Sequence, residues 1–238
     1  MPLEAFKFKQ FSVAHDRCAM KIGTDAVLLG AWAAVDHSPN SILDIGSGSG
    51  ILALMLAQRS VAELIDAIEI DSEAYEQCVL NFEQSPWRDR LFCYHASLKE
   101  FTEEIEEKYD LIVSNPPFYT DHFDTKNKAR NLARFENALP FDHLITSAKM
   151  LLSDHGRFCV IVPYGEEDIF CALAKENQLF CNKKLRVRGQ KNSEIKRSLM
   201  VFSFEEQSPK IEAIYLEDGR HNYSNAYREM TKEFYLKF

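Results

Sequence analysis

The 238 residues are enough for one α/β domain with a well-buried core, and they read as a single unit. Apolar residues make up 46% and charged residues 27%, and no apolar run approaches the roughly 20 residues that span a bilayer, which excludes a membrane-spanning class. A net charge of −8 excludes a protein that coats nucleic acid through overall basicity, but it leaves room for local basic patches.

The opening residues carry no apolar leader core and no cleavage site, so a cytoplasmic location is expected. Six cysteines without a CxxC pair fit reduced thiols rather than a disulfide frame. The seven histidines show no ligand spacing, and no metal is expected. In chain order, Phe6-Lys7-Phe8-Lys9-Gln10-Phe11-Ser12-Val13 largely alternates and predicts a strand or hairpin arm outside the main sheet. A helix is predicted over 26–34, with Thr24 or Asp25 as its cap and Gly23 before it. Ser41-Ile42-Leu43-Asp44-Ile45 predicts the first core strand, and Gly46-Ser47-Gly48-Ser49-Gly50 turns into a helix over 51–59. This GxGxG turn is shorter than the GxGxxG of dinucleotide sites and suits an adenosyl ligand without phosphates.

The second strand, 64–71, carries Glu69, which lies 25 positions after Asp44 (69 minus 44) at a strand end, where an acid accepts bonds from ribose hydroxyls. A helix over 72–81 follows, with Asp71 or Ser72 as its cap. The third strand, 91–95, ends at Ala96-Ser97, and an acidic helix is expected over 98–107. Tyr109-Asp110-Leu111-Ile112-Val113-Ser114 is a buried strand that delivers Asn115-Pro116-Pro117-Phe118 to the sheet's carboxyl edge. The segment 119–139 is long for a compact domain and holds Lys126, Lys128, Arg130 and Arg134. Helices over 141–152 and 166–177 flank a strand over 157–163. The last two core strands, 179–187 and 198–204, are expected to pair antiparallel. On and between them lie Lys183, Lys184, Arg186, Arg188, Lys191, Lys196 and Arg197 against one acid, Glu194, which predicts a phosphate-facing surface. A short strand over 211–216 and a helix near 222–234 close the chain.

The motifs Asp44 to Gly50, Glu69 and Asn115-Pro116-Pro117-Phe118 resemble those of class I S-adenosylmethionine-dependent methyltransferases that act on planar exocyclic amines. The wording from Phe11 through Met20-Lys21-Ile22-Gly23-Thr24-Asp25 to Trp32, and the tail Phe234-Tyr235-Leu236, resemble the bacterial tRNA(Val) adenine-N6 methyltransferase family. That resemblance implies a Rossmann-like α/β fold: a mostly parallel seven-stranded sheet, its last strand antiparallel, with helices on both faces. The expected divisions are a cofactor-covering extension over 1–40, a core over 41–205 and a C-terminal strand and helix over 206–238. S-adenosyl-L-methionine is the implied cofactor, with Asp44, Gly46, Gly48, Gly50, Glu69 and Asn115 around it and Lys21, Gly23 and Thr24 near its methionine end. Many relatives place an Asp after the third strand for the cofactor's adenine; here Ser97 stands there. The implied partner is tRNA, bound at Pro117, Tyr119 and the two basic segments by a monomer that uses neither DNA nor a membrane.

The residues present suit transfer to a flat amine. The Asn115 side-chain oxygen and the Pro116 carbonyl accept the two amine hydrogens, and Phe118 stacks on the base. Alignment is the main task, and no dedicated base is required. The same corner also suits a guanine amine or a glutamine side-chain amide. A nicotinamide oxidoreductase would share the sheet but would have no use for Asn115, and an RNA-binding module would need no cofactor cradle.

Overall fold

The computed structural model describes residues 5–117, 139–219 and 222–237. Its frame is a sheet whose central apolar runs, Ser41–Ile45, Leu64–Glu69 and Tyr109–Ser114, become strands buried on both faces. β3 (Ser41–Ile45), β4 (Leu64–Glu69), β5 (Leu91–His95), β6 (Tyr109–Ser114) and β7 (Leu152–Pro163) all run parallel. β9 (Ile195–Ser203) then enters antiparallel between β7 and β8 (Phe180–Gln190). These seven strands, ordered β5-β4-β3-β6-β7-β9-β8, are the core expected from the sequence.

The sheet does not stop there. β10 (Lys210–Gly219) adds parallel to β8, and β11 (Asn222–Tyr223) adds antiparallel to β10, so nine strands rather than seven are hydrogen-bonded among the described residues. The physical reason is the outer edge of β8, whose unpaired backbone groups are satisfied by β10 over seven paired positions. A separate hairpin, β1 (Phe6–Lys7) with β2 (Ser12–Val13), lies outside the sheet as expected.

Helices cover both faces. On one side pack α1 (Thr24–Trp32), α2 (Ile51–Arg59), α3 (Ser72–Glu83) and α7 (Asn225–Thr231), sharing a core with Ile42, Ile65, Leu111 and Val113. On the other lie α4 (Leu98–Glu104), α5 (Phe141–Leu151) and α6 (Glu167–Glu176), around Leu43, Ile45, Ile112 and Phe158. Alternating strand residues therefore serve opposite cores, as period-two geometry requires.

Several boundaries differ from expectation. α1 begins at Thr24, so Gly23 rather than Thr24 or Asp25 is its cap, and the Asp25 carboxylate in the first turn accepts from Arg197 Nε at 2.8 Å. β7 begins at Leu152, which pairs with Tyr109, five residues before the run that marks it in the sequence. α4 stops at Glu104, and α7 is confined to 225–231 because β11 precedes it and Ser224 caps it, its hydroxyl accepting from Tyr227 N. Asp71 caps α3 as expected, accepting from Ala74 N at 2.9 Å.

Candidate active site

Every parallel core strand ends on one edge of the sheet, and the motif residues gather there. The turn after β3 carries three glycines in the left-handed region, Gly46, Gly48 and Gly50, with φ of 75°, 54° and 76°. Among the described residues a methyl group built on Gly46 or Gly48 meets nothing within 4 Å, so the turn presents bare backbone there. On Gly50 it would lie 2.6 Å from Phe82 Cε1 and 2.7 Å from Cys78 Sγ, both on α3.

Glu69, at the end of β4, faces this turn. Its Oε2 accepts from Gly48 N at 2.7 Å, and its Oε1 accepts from Ile70 N and Asp71 N, each at 2.9 Å. The carboxylate is thereby aimed before any ligand arrives. Asp44, inside β3, is wholly buried; burial pushes its carboxyl up to about 7 despite a 3.3 Å bond from Ala53 N, and its Oδ1 has no partner among the described residues.

Asn115 leaves β6 one strand away. Ser114 before it is buried and donates to Ile45 O at 2.9 Å, tying the Asn-Pro-Pro corner to the strand that leads into the glycine turn. The Asn115 Oδ1 atom is buried and has no hydrogen-bond partner among the described residues. A buried amide oxygen left unpaired costs about 1–3 kcal/mol, which a ligand donor would recover. Pro116 beside it is buried and Pro117 is partly exposed.

The N-terminal segment crosses this edge. Asn81, buried on α3, accepts from Ala14 N at 2.9 Å and donates at 2.8 Å to both Ala14 O and Ser49 O, linking that segment to the glycine turn. Cys18 is buried, and its thiol is pushed up to about 11 by burial and by the nearby charges of Glu69 and Asp71. Lys21, Gly23 and Thr24 are exposed at the start of α1. Arg197, opposite Pro163, anchors that end through Asp25.

Ser97 follows β5 at the same edge, but its hydroxyl is engaged in a capping box with Glu100: it accepts from Glu100 N and donates to Glu100 Oε2 at 2.7 Å. Phe118, Tyr119, Lys126, Lys128, Arg130 and Arg134 lie outside the described residues.

The basic surface is less positive in space than along the chain. Lys184 is buried, and its ammonium and the Arg186 guanidinium both donate to Glu167, at 2.9 Å and 2.8 Å. Lys183 pairs with Glu212 at 3.6 Å and sits over the Trp32 ring, Lys196 pairs with Glu194 at 3.8 Å, and Arg197 holds Asp25. Arg188 donates to Ser193 O, and Lys191 is exposed in the β8–β9 turn. Lys184 therefore faces an internal carboxylate rather than a phosphate surface. Sequence reasoning missed Asn81 and Glu167. Nothing local in the sequence marked either: Asn81 lies in the last turn of α3, and its burial appears only in the fold.

The sheet order, the positive-φ glycine turn, the strand-end acid and the unpaired amide together define a class I methyltransferase. The comparisons agree: the family model described as "Methyltransferase small domain" matches residues 20–166. The solved structure of Atu636 from Agrobacterium tumefaciens, described as a predicted O-methyltransferase, superimposes with a TM-score of 0.64 at 16% identity, over 88% of this chain and 96% of that one, a likeness of fold. The chain is 58% identical to the tRNA1(Val) (adenine(37)-N6)-methyltransferase of Flavobacterium johnsoniae, over 98% of this chain and 99% of that one. It is 55% identical to the protein so named in Christiangramia forsetii, over the full length of both. The chain belongs to the tRNA1(Val) (adenine(37)-N6)-methyltransferase family.

Proposed function

We propose that this chain transfers a methyl group from S-adenosyl-L-methionine to the exocyclic N6 of an adenine in tRNA, with adenine 37 of tRNA1(Val), the target in its relatives' names, as its substrate. The observation that carries the reading is the buried Asn115 Oδ1, without a partner among the described residues and held beside the glycine turn by the Ser114 to Ile45 bond. When bound, S-adenosyl-L-methionine supplies an electrophilic sulfonium methyl. The residues present fit it: Gly46 and Gly48 leave room for close approach, and Glu69 keeps acceptor capacity for ribose hydroxyls.

The adenine amine is a weak nucleophile because its lone pair is spread into the ring. Asn115 Oδ1 and the Pro116 carbonyl accept its two hydrogens and aim the nitrogen, so the chain's main contribution is alignment. An anticodon-loop adenine is already single-stranded, which lowers the cost of splaying it into the corner. Arg188, Lys191 and Lys196 lie toward the same edge and suit the RNA backbone. In this reading residues 1–40 cover the cofactor, 41–205 form the catalytic core, 206–238 complete the sheet and its covering helices, and the enzyme works as a cytoplasmic monomer.

The test is methylation of bulk tRNA followed by nucleoside analysis, comparing wild type with Asn115→Ala. N6-methyladenosine is expected from wild type, with turnover about 100- to 1000-fold lower in the variant and cofactor affinity by calorimetry unchanged. A different methylated nucleoside, or equal turnover in the variant, would overturn the reading.

A further inference from the structure

Four aromatic rings among the exposed large apolar side chains of the described residues are Phe6, Phe92, Tyr94 and Tyr164. Phe6 belongs to the outer hairpin, and Phe92 and Tyr94 to β5 at the far border of the sheet. Tyr164 alone follows a strand's carboxyl end, in the 3-10 turn Tyr164–Glu166 after β7. β7 lies beside β6, with Val160 paired to Ser114. Counting from that register, Tyr164 stands about 10 Å farther along the strand direction than Asn115 and about 5 Å to its side. That is the reach of a neighbouring nucleotide, not of the target base.

The ring is backed by a cation. The Arg186 guanidinium carbon lies 5.3 Å from its centroid. Arg186 is itself fixed, because Glu167 accepts from its Nη2 at 2.8 Å and from its Nε at 3.2 Å. The Glu167 side chain is only 2% exposed and also accepts from Lys184 and Ser198, so one buried carboxylate faces two cations, with Asp168 also near Arg186. A buried ionic cluster is weak evidence for stability, since well-packed apolar residues serve as well. What this cluster achieves is a guanidinium held in one plane against an exposed ring at the substrate edge. Arg188, two residues on and on the same face of β8, extends the positive charge outward.

We propose that Tyr164, backed by Arg186, is the stacking platform for a nucleobase flanking the target adenine. The inference rests on the reading of the chain as a tRNA enzyme. An unstacked base on an aromatic ring contributes about 1–3 kcal/mol, or roughly 5- to 150-fold in affinity.

The experiment measures methylation of an anticodon stem-loop of tRNA1(Val) and of two versions with an abasic residue on the 5′ or the 3′ side of the target. Tyr164→Ala should raise the KM for the intact RNA about tenfold, leave cofactor affinity unchanged, and be rescued by Tyr164→Phe. One of the two abasic RNAs should cost wild type the same factor and cost Tyr164→Ala nothing further. A wild-type KM for Tyr164→Ala, or losses that multiply with both abasic RNAs, would overturn the platform. Failure of wild-type enzyme to methylate full-length tRNA would instead overturn the reading beneath it.

Discussion

Replacing the glycines of the β3–α2 turn one at a time should separate folding from cofactor binding. Gly50 has a φ of 76°, and a non-glycine residue in that region costs about 1–2 kcal/mol. Its added methyl would also lie 2.6 Å from Phe82 and 2.7 Å from Cys78, side chains that are 3% and 0% exposed and have nowhere to retreat. Overpacking of this kind adds about 1–3 kcal/mol, so Gly50→Ala should lose roughly 2–5 kcal/mol, a large part of the 5–15 kcal/mol that holds a typical domain. Gly48, with φ of 54° and nothing within 4 Å of the added methyl, should lose only the backbone cost of about 1–2 kcal/mol. Its methyl would fill the space left for the ligand. Urea unfolding of both variants, with calorimetric titration of S-adenosyl-L-methionine, tests the pair. Gly50→Ala should show a clearly lower unfolding midpoint; Gly48→Ala should stay folded and bind at least about tenfold more weakly. Equal destabilisation of the two, or wild-type affinity in Gly48→Ala, would refute the reasoning.

Asn81→Ala removes one acceptor and two donated bonds that join Ala14 and Ser49, so it should weaken cofactor binding and speed hydrogen exchange at the Ala14 amide; unchanged exchange would remove the link. Glu167→Gln should destabilise at neutral pH by about 3–5 kcal/mol because Lys184 is left buried without its counter-charge. The pH profile tests the same network. Burial alone would raise the Glu167 carboxyl, but bonds from Arg186, Ser198 and Lys184 outweigh it and hold it at about 2, below the usual 4.5. A depressed folded pKa contributes stability that is present above pH 4.5 and lost as pH falls through about 2, so wild type should lose more stability than Glu167→Gln between pH 5 and pH 2. Parallel acid profiles would contradict the assignment.

The core strands were legible because residues 41–45, 64–69 and 109–114 are apolar runs whose side chains are buried on both faces, a condition that composition alone reveals. The glycine turn and Glu69 were legible for a related reason, since positive φ and a strand-end acid leave marks on residue type. The charged surface was not. Counting from Lys183 to Arg197 finds one acid, whereas folding brings Glu167, Glu212 and Asp25 to that segment, the last from 172 positions away. A strand was expected only over 211–216, and the open flank of β8, which β10 pairs along its length, accounts for its extension to Lys210–Gly219.

The two halves of the site follow opposite physical logic, which suits the different roles proposed for them. Glu69 has three backbone donors on its carboxylate, which fix it in place and leave acceptor capacity for the hydroxyls proposed above. Asn115 is the reverse: its amide oxygen is buried and has no hydrogen-bond partner among the described residues. An unsatisfied acceptor favours whichever species offers a hydrogen at that point and penalises those that do not. A primary aromatic amine meets that requirement, whereas a ring nitrogen without a hydrogen leaves the oxygen unpaired. In the proposed reading, Asn115 Oδ1, with the Pro116 carbonyl beside it, separates the exocyclic amine from the ring nitrogens of the same base.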